Sequence, residues 1–135
     1  MKISSNDRRC WISVERPAGA HPHTPFALEV SMQFGHEYFH ARNGDIHWTN
    51  GQDFSKDLDR FMTNRDLRPR LNCAANGSFV GFSGSATSVI LEFAVGDAFL
   101  GDRTMHQYLL RGSFDVEQDR LLSIIDEFIA LTKEA

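Results

Sequence analysis

Four of the six histidines, His21, His23, His40 and His47, are the residues whose type and spacing could do chemistry. Neutral imidazole is a common zinc ligand, and its proton equilibrium lies near neutral pH, so it also serves in acid–base transfer. His21 and His23 stand as H-x-H in the loop AGAHPHTP. His40 and His47 flank Asn43-Gly44, and Asn-Gly is the preferred pair for a two-residue type I′ hairpin turn, where both central residues need positive φ. Counting outward from such a turn sets Arg42 opposite Asp45, Ala41 opposite Ile46, His40 opposite His47, Phe39 opposite Trp48 and Tyr38 opposite Thr49. Side chains alternate between faces, so Phe39, Ala41, Ile46 and Trp48 form an apolar face and Tyr38, His40, Arg42, Asp45, His47 and Thr49 a polar one. One expectation is a metal at His21, His23, His40 and His47 in a small metal- or ligand-binding enzyme. The blander expectation, preferred here, is solvated or hydrogen-bonded histidines beside an exposed Arg42–Asp45 ion pair, because no cysteine or carboxylate completes a ligand set in a recognisable order.

Other stretches imitate chemistry less well. GFSGS, Gly81 to Ser85, resembles the G-x-S-x-G nucleophile elbow, but its fifth residue is Ser85 and it lies between two strands rather than before a helix. A hairpin turn is the expected reading. Glu29 and Glu92 sit on strands among apolar neighbours, far apart in sequence, which is no acid/base pair without geometry. The chain has neither G-x-x-x-x-G-K nor G-x-G-x-x-G, so nucleotide binding has no local support. Cys10 and Cys73 are not in a C-x-x-C pair and read as small buried hydrophobes. No catalytic residue and no cofactor is expected.

The frame for these residues is one domain over residues 1–135, a length that buries a core without disulfides or metals. The formal net charge is -4, and Lys and Arg are scattered rather than gathered in a stripe, so nucleic acid is not an expected partner. MKISSNDRRCWISV lacks the apolar core of a signal peptide, and no run reaches the ~20 apolar residues of a membrane span; the expected location is cytoplasmic. With 11 phenylalanines against 2 tryptophans and 2 tyrosines, aromatic bulk is expected to fill a sheet-based core.

The expected fold is α+β, an antiparallel sheet of about six to seven strands with two helices, at about 52–63 and 116–132, packed on it. Its clearest signal is FALEVSMQF, where Phe26, Leu28, Val30, Met32 and Phe34 alternate with Ala27, Glu29, Ser31 and Gln33. WISVE, RLNCA, FVGFSG, SVILEFAV and MHQYLLRGSF are further strand candidates, with GDAFLGDRT read as a loop. Thr49 or Asn50 is expected to cap a helix carrying Phe54, Leu58, Phe61 and Met62, and Asp115 to cap a terminal helix with a broad stripe from Leu121 to Leu131.

A strand ending in Trp48, then DFSKDLDRF, paired strands, SVILEFAV, a loop, YLLRGSFD and the helix EQDRLLSIIDEF together resemble the WapI-type immunity family and related small bacterial proteins of unassigned function. The resemblance spans about Phe26 to Leu131 and rests on patterned positions rather than a catalytic signature. It implies an antiparallel sheet with both helices on it, no catalysis, and binding to a cognate bacterial toxin by protein–protein contact. The HPHTP segment and the histidine-rich hairpin depart from the family pattern. On this reading Tyr38, His40, Arg42, Asp45 and His47 are the candidate partner-binding residues, since Tyr, Arg and His combine contact area with hydrogen-bonding tips. Exposed strand edges leave a homodimer possible.

Overall fold

The structure, a computed structural model, describes residues 1–16 and 24–132. It is α+β, but its eight strands form two four-stranded antiparallel sheets instead of the single expected sheet. The first contains β1 (Lys2–Ser4), β2 (Cys10–Glu15), β3 (Phe26–Phe34) and β4 (Glu37–Ile46); the second contains β5 (Arg70–Asn72), β6 (Phe79–Gly84), β7 (Val89–Leu100) and β8 (Met105–Val116). Within each sheet, strands lie side by side in chain order. Helix α1 (Gly51–Phe61) connects the two sheets, and α2 (Leu121–Thr132) follows the second through a short 3-10 turn at Gln118–Arg120.

Alternation dictates the first sheet. On β2 and β3, Cys10, Ile12, Val14, Phe26, Leu28, Val30 and Met32 are buried, while Trp11, Ser13, Ala27, Glu29 and Ser31 on the other side are half-buried. In the second sheet, Val80, Phe82, Val89, Leu91 and Phe93 face inward and share one apolar cluster with both helices and the inner side of the first sheet. Met32 reaches Gly112 of β8, where an added Cβ would lie 2.6 Å from its Sδ and 3.0 Å from Phe93 Cζ. A side chain at 112 would require the flexible end of Met32 to shift.

The helices close the same core. Phe54, Leu58 and Phe61 recur at i, i+4 and i+7 on the buried stripe of α1, and Leu121, Ile124, Ile125 and Phe128 form that of α2. Phe128 meets Phe54 and Phe82 edge-on, with ring centroids 5.7 Å apart in both pairs. The expected side-chain caps are not made. Asn50 occupies the N-cap of α1, but its amide donates to Arg70 O (2.7 Å) and its carbonyl accepts from Asn72 N (2.9 Å), so it ties the helix start to β5 instead. Asp115 is a strand residue, and the 3-10 turn starts after Glu117, without a side-chain cap.

The hairpin expected at Asn43-Gly44 is not there. Neither residue has positive φ, so the type I′ turn fails on its first requirement. The reversal occurs at Gly35-His36, where Phe34 pairs with Glu37 and Gly35 takes φ 59°, at the position where a type II′ turn favours glycine. Asn43 and Gly44 instead form a β-bulge within β4: Leu28 opposes Asn43 and Phe26 opposes Ile46, so one extra residue is accommodated on β4. The remaining expected loop, GDAFLGDRT, is mostly strand; β7 runs on to Leu100 and the chain turns at 101–104.

Candidate functional site

The outer face of the first sheet is built by the residues that alternate against its core. Lys2 of β1, Trp11 of β2, Glu29 of β3, and His40 and Arg42 of β4 converge there, because Trp11 pairs with Ser31, Ser31 with His40, and Glu29 with Arg42. The Lys2 ammonium stands 4.5 Å from the centre of the Trp11 ring, and the His40 ring meets that indole edge-on at 6.4 Å. Glu29 receives two partners, His40 Nε2 at 3.3 Å and Arg42 Nε at 3.6 Å. All five groups keep solvent contact, and the Arg42–Glu29 ion pair is worth at most about 1 kcal/mol. The effect of the Glu29 contacts is positional, holding imidazole and guanidinium upright on the sheet beside the indole.

The five candidate contact residues, Tyr38, His40, Arg42, Asp45 and His47, are all exposed. The structure brings His40 and Arg42 together through Glu29; the expected Arg42–Asp45 ion pair and His40–His47 juxtaposition are not formed. Arg42 belongs to Glu29, whereas Asp45 Oδ1 contacts His47 Nε2 at 3.1 Å, past the bulge. The reason is the bulge itself: with no turn at 43–44, residues 40 and 47 follow one another along the chain instead of opposing each other. Among the described residues, no group of three His, Cys, Asp or Glu side chains is close enough to hold a metal ion. His21 and His23 lie outside the described residues. Cys10 and Cys73 are buried and unbridged.

Asn43, which the turn reading would have left at a solvent-exposed tip, is buried and joins the two sheets. Its amide nitrogen donates to Gly96 O at 2.8 Å and its carbonyl accepts from Asp45 N at 2.8 Å, while Ser78 Oγ accepts from Gly96 N at 3.0 Å. The Tyr108 hydroxyl donates to Arg42 O at 3.2 Å, so β8 also touches the back of the candidate face. Partial desolvation, and then the nearby Asp97 charge, raise the Tyr108 phenol above its usual 10.0. At the β1–β2 turn, the Ser5 hydroxyl donates to Asp7 at 2.6 Å and Arg9 N–H at 3.1 Å; these bonds hold the Asp7 carboxyl below its usual 3.8.

Sequence reasoning missed Trp11, Lys2 and Glu29 as members of this face. The signal was present for Trp11 and Glu29, since each stands at an outward position of an alternating strand. Lys2 lies on a three-residue strand too short to show a period.

On its other side, the second sheet carries a smaller and more closed array. Arg70 and Arg111 cover the Phe79 ring at 3.9 and 5.4 Å, and Arg70 reaches Glu92 at 3.7 Å. Phe79 is buried beneath them, so the arginines serve as its cover. Ser83, in the elbow-like GFSGS, lies on β6 with its hydroxyl 3.4 Å from Glu92 and no histidine among its described partners. Among the described residues, no helix is long and apolar enough to cross a membrane. In comparisons with known proteins, no family model, no curated protein and no solved structure matches this chain.

Proposed function

We propose that this chain is a non-enzymatic binding protein of immunity type, which neutralises a cognate bacterial toxin by protein–protein contact through the outer face of its first sheet. The observation that carries the binding reading is the array of half-buried Trp11 with exposed Lys2, His40 and Arg42, beside Glu29. Aromatic and guanidinium groups that are held in place yet solvent-accessible are the chemistry enriched at the centres of protein interfaces. Tyr38, Asp45 and His47 extend the face along β4 and past its bulge. The immunity assignment rests on the patterned resemblance over Phe26 to Leu131.

The experiment is co-expression with the product of a neighbouring gene encoding a large multidomain toxin. Co-purification and protection of the host support the reading. Alanine at Tyr38, His40, Arg42, Asp45 and His47 together, and separately at Trp11, is expected to abolish protection while leaving the circular dichroism spectrum unchanged. If protection survives both replacements, the contact surface is elsewhere. Metal content separates this reading from a histidine metalloenzyme: stoichiometric zinc in the purified protein that disappears with His40→Ala and His47→Ala would overturn it.

A further inference from the structure

We infer that β8 is a self-association edge, at which a second copy of this chain adds its own β8 antiparallel to the first and joins the two second sheets into one. The four outer strands of the two sheets differ in how they resist pairing. β1 and β5 are three residues long, and β4 is bulged and bears His40 and Arg42. β8 is neither short nor bulged, although it bears His106 and Arg111. It runs twelve residues in unbroken register with β7, contains no proline, and has no strand on its other side among the described residues. A long, regular, largely apolar edge is a template for another strand.

Exposed apolar side chains accompany this edge. Of the nine large apolar side chains exposed among the described residues, Phe99, Leu100, Met105, Tyr108 and Leu109 lie on β7–β8, with exposures from 46% to 71%, and Phe34, Tyr38 and Phe39 lie on the β3–β4 hairpin. With roughly 150–250 Å2 for a full aromatic side chain, the exposed parts of Phe99, Leu100, Met105, Tyr108 and Leu109 on β7–β8 come to on the order of 550 Å2 per molecule, against about 800 Å2 from each partner in a standard interface.

Charge selects the register. A two-fold axis normal to the sheet keeps each face continuous, so every residue opposes one of its own parity. With Leu109 on the axis, Gln107 opposes Arg111, Met105 opposes Ser113, and Arg103 in the turn falls beside Asp115, so an opposite-charge contact forms twice. Centring on Arg111 instead would set the two guanidiniums against each other. The Leu109 register also carries the tip of one hairpin toward the other copy's Ser113. There Phe34 and Gly35 line a depression together with Ser113 and Phe114, so Leu100 and Met105 reach the Phe34 corner. Second copy and candidate toxin face are different surfaces; only Tyr38 borders both.

Sedimentation equilibrium on the full chain tests this. The unaltered protein is expected to show a reversible monomer–dimer equilibrium. Leu109→Arg, which places like charges at the axis, should weaken it at least about tenfold, or about 1.4 kcal/mol, with an unchanged circular dichroism spectrum. Arg103→Asp should weaken it less, and Arg103→Asp combined with Asp115→Arg should restore it. A protein that is monomeric up to its solubility limit, or a dimer indifferent to Leu109→Arg, overturns the proposal.

Discussion

The β3–β4 and β7–β8 hairpins are two solutions to the same problem, a long antiparallel ribbon leaving a small core. β4 carries a bulge at Asn43-Gly44, and this inverts the alternation so that Ala41 and Asn43 before it and Ile46 after it all point inward. The strand is thereby drawn back into the body, with Trp48 packed against Phe26 beyond its end. β7–β8 has no bulge. Its ladder is regular for all twelve pairs, and beyond Val95 the residues Asp97 to Leu100 are all exposed. The two ribbons meet at the point where their behaviour diverges, Asn43 on Gly96. The bulged end of β4 is packed into the body, while the turn ends of both ribbons, 34–40 and 97–100, are exposed.

That contrast can be broken at its foot, at its junction and at its edge, with effects that decline in that order. Phe93 lies fully buried where the β7–β8 ribbon rests on the core, against Phe114; Phe93→Ala should cost about 3–5 kcal/mol in urea unfolding. Phe99→Ala, six pairs further along on the same face, should stay within about 0.5 kcal/mol when measured in the Leu109→Arg background, where self-association does not enter. At the junction, Asn43→Ala removes the donor to Gly96 O and the acceptor for Asp45 N, in a buried setting; a loss of about 1–3 kcal/mol is expected. If Asn43→Ala is neutral, the bulge alone holds β4 to the body.

The smallest effect is a pH dependence. Tyr108 has its folded pKa raised above 10.0, so the folded state favours the protonated phenol. The stability this contributes is fully present below pH 10 and is lost as pH rises through the raised value. Tyr108→Phe should flatten that alkaline limb, and should cost below about 1 kcal/mol at neutral pH through the hydrogen bond to Arg42 O. An alkaline limb that survives Tyr108→Phe would assign it to another group.

Where the period is long, sequence and structure agree in detail. The alternation over FALEVSMQF is β3 with the same limits, Phe26–Phe34, and the i, i+4, i+7 phenylalanine–leucine stripe is α1. The error at Asn43-Gly44 is instructive because the inversion of the apolar alternation read there is real. A two-residue turn and a bulge both invert it, and only the chain upstream separates them: Gly35 in FGHE supplies a positive-φ turn position eight residues earlier. The same ambiguity hid the projecting ribbon. Gly96-Asp97 and Gly101-Asp102 look like equivalent turn signals, but Gly96 is glycine for closeness, since an added Cβ would lie 2.8 Å from Tyr108 O and 3.0 Å from Asn76 O. The division into two sheets was not legible, because nothing local says that β4 ends one ladder and β5 begins another. As for the candidate face, its β4 residues were found by alternation, whereas their shared partner Glu29 depends on the true register.

Among the described residues, every strand pairs only with its neighbours along the chain, and this bears on how the molecule assembles. Each ladder closes through a short connection or one of modest length, so neither sheet has to wait for distant segments to find one another. The contacts that join the two sheets, Met32 against Gly112 and Asn43 to Gly96 O, are the long-range ones. Loop closure for each ladder is therefore less costly than bringing the two sheets together.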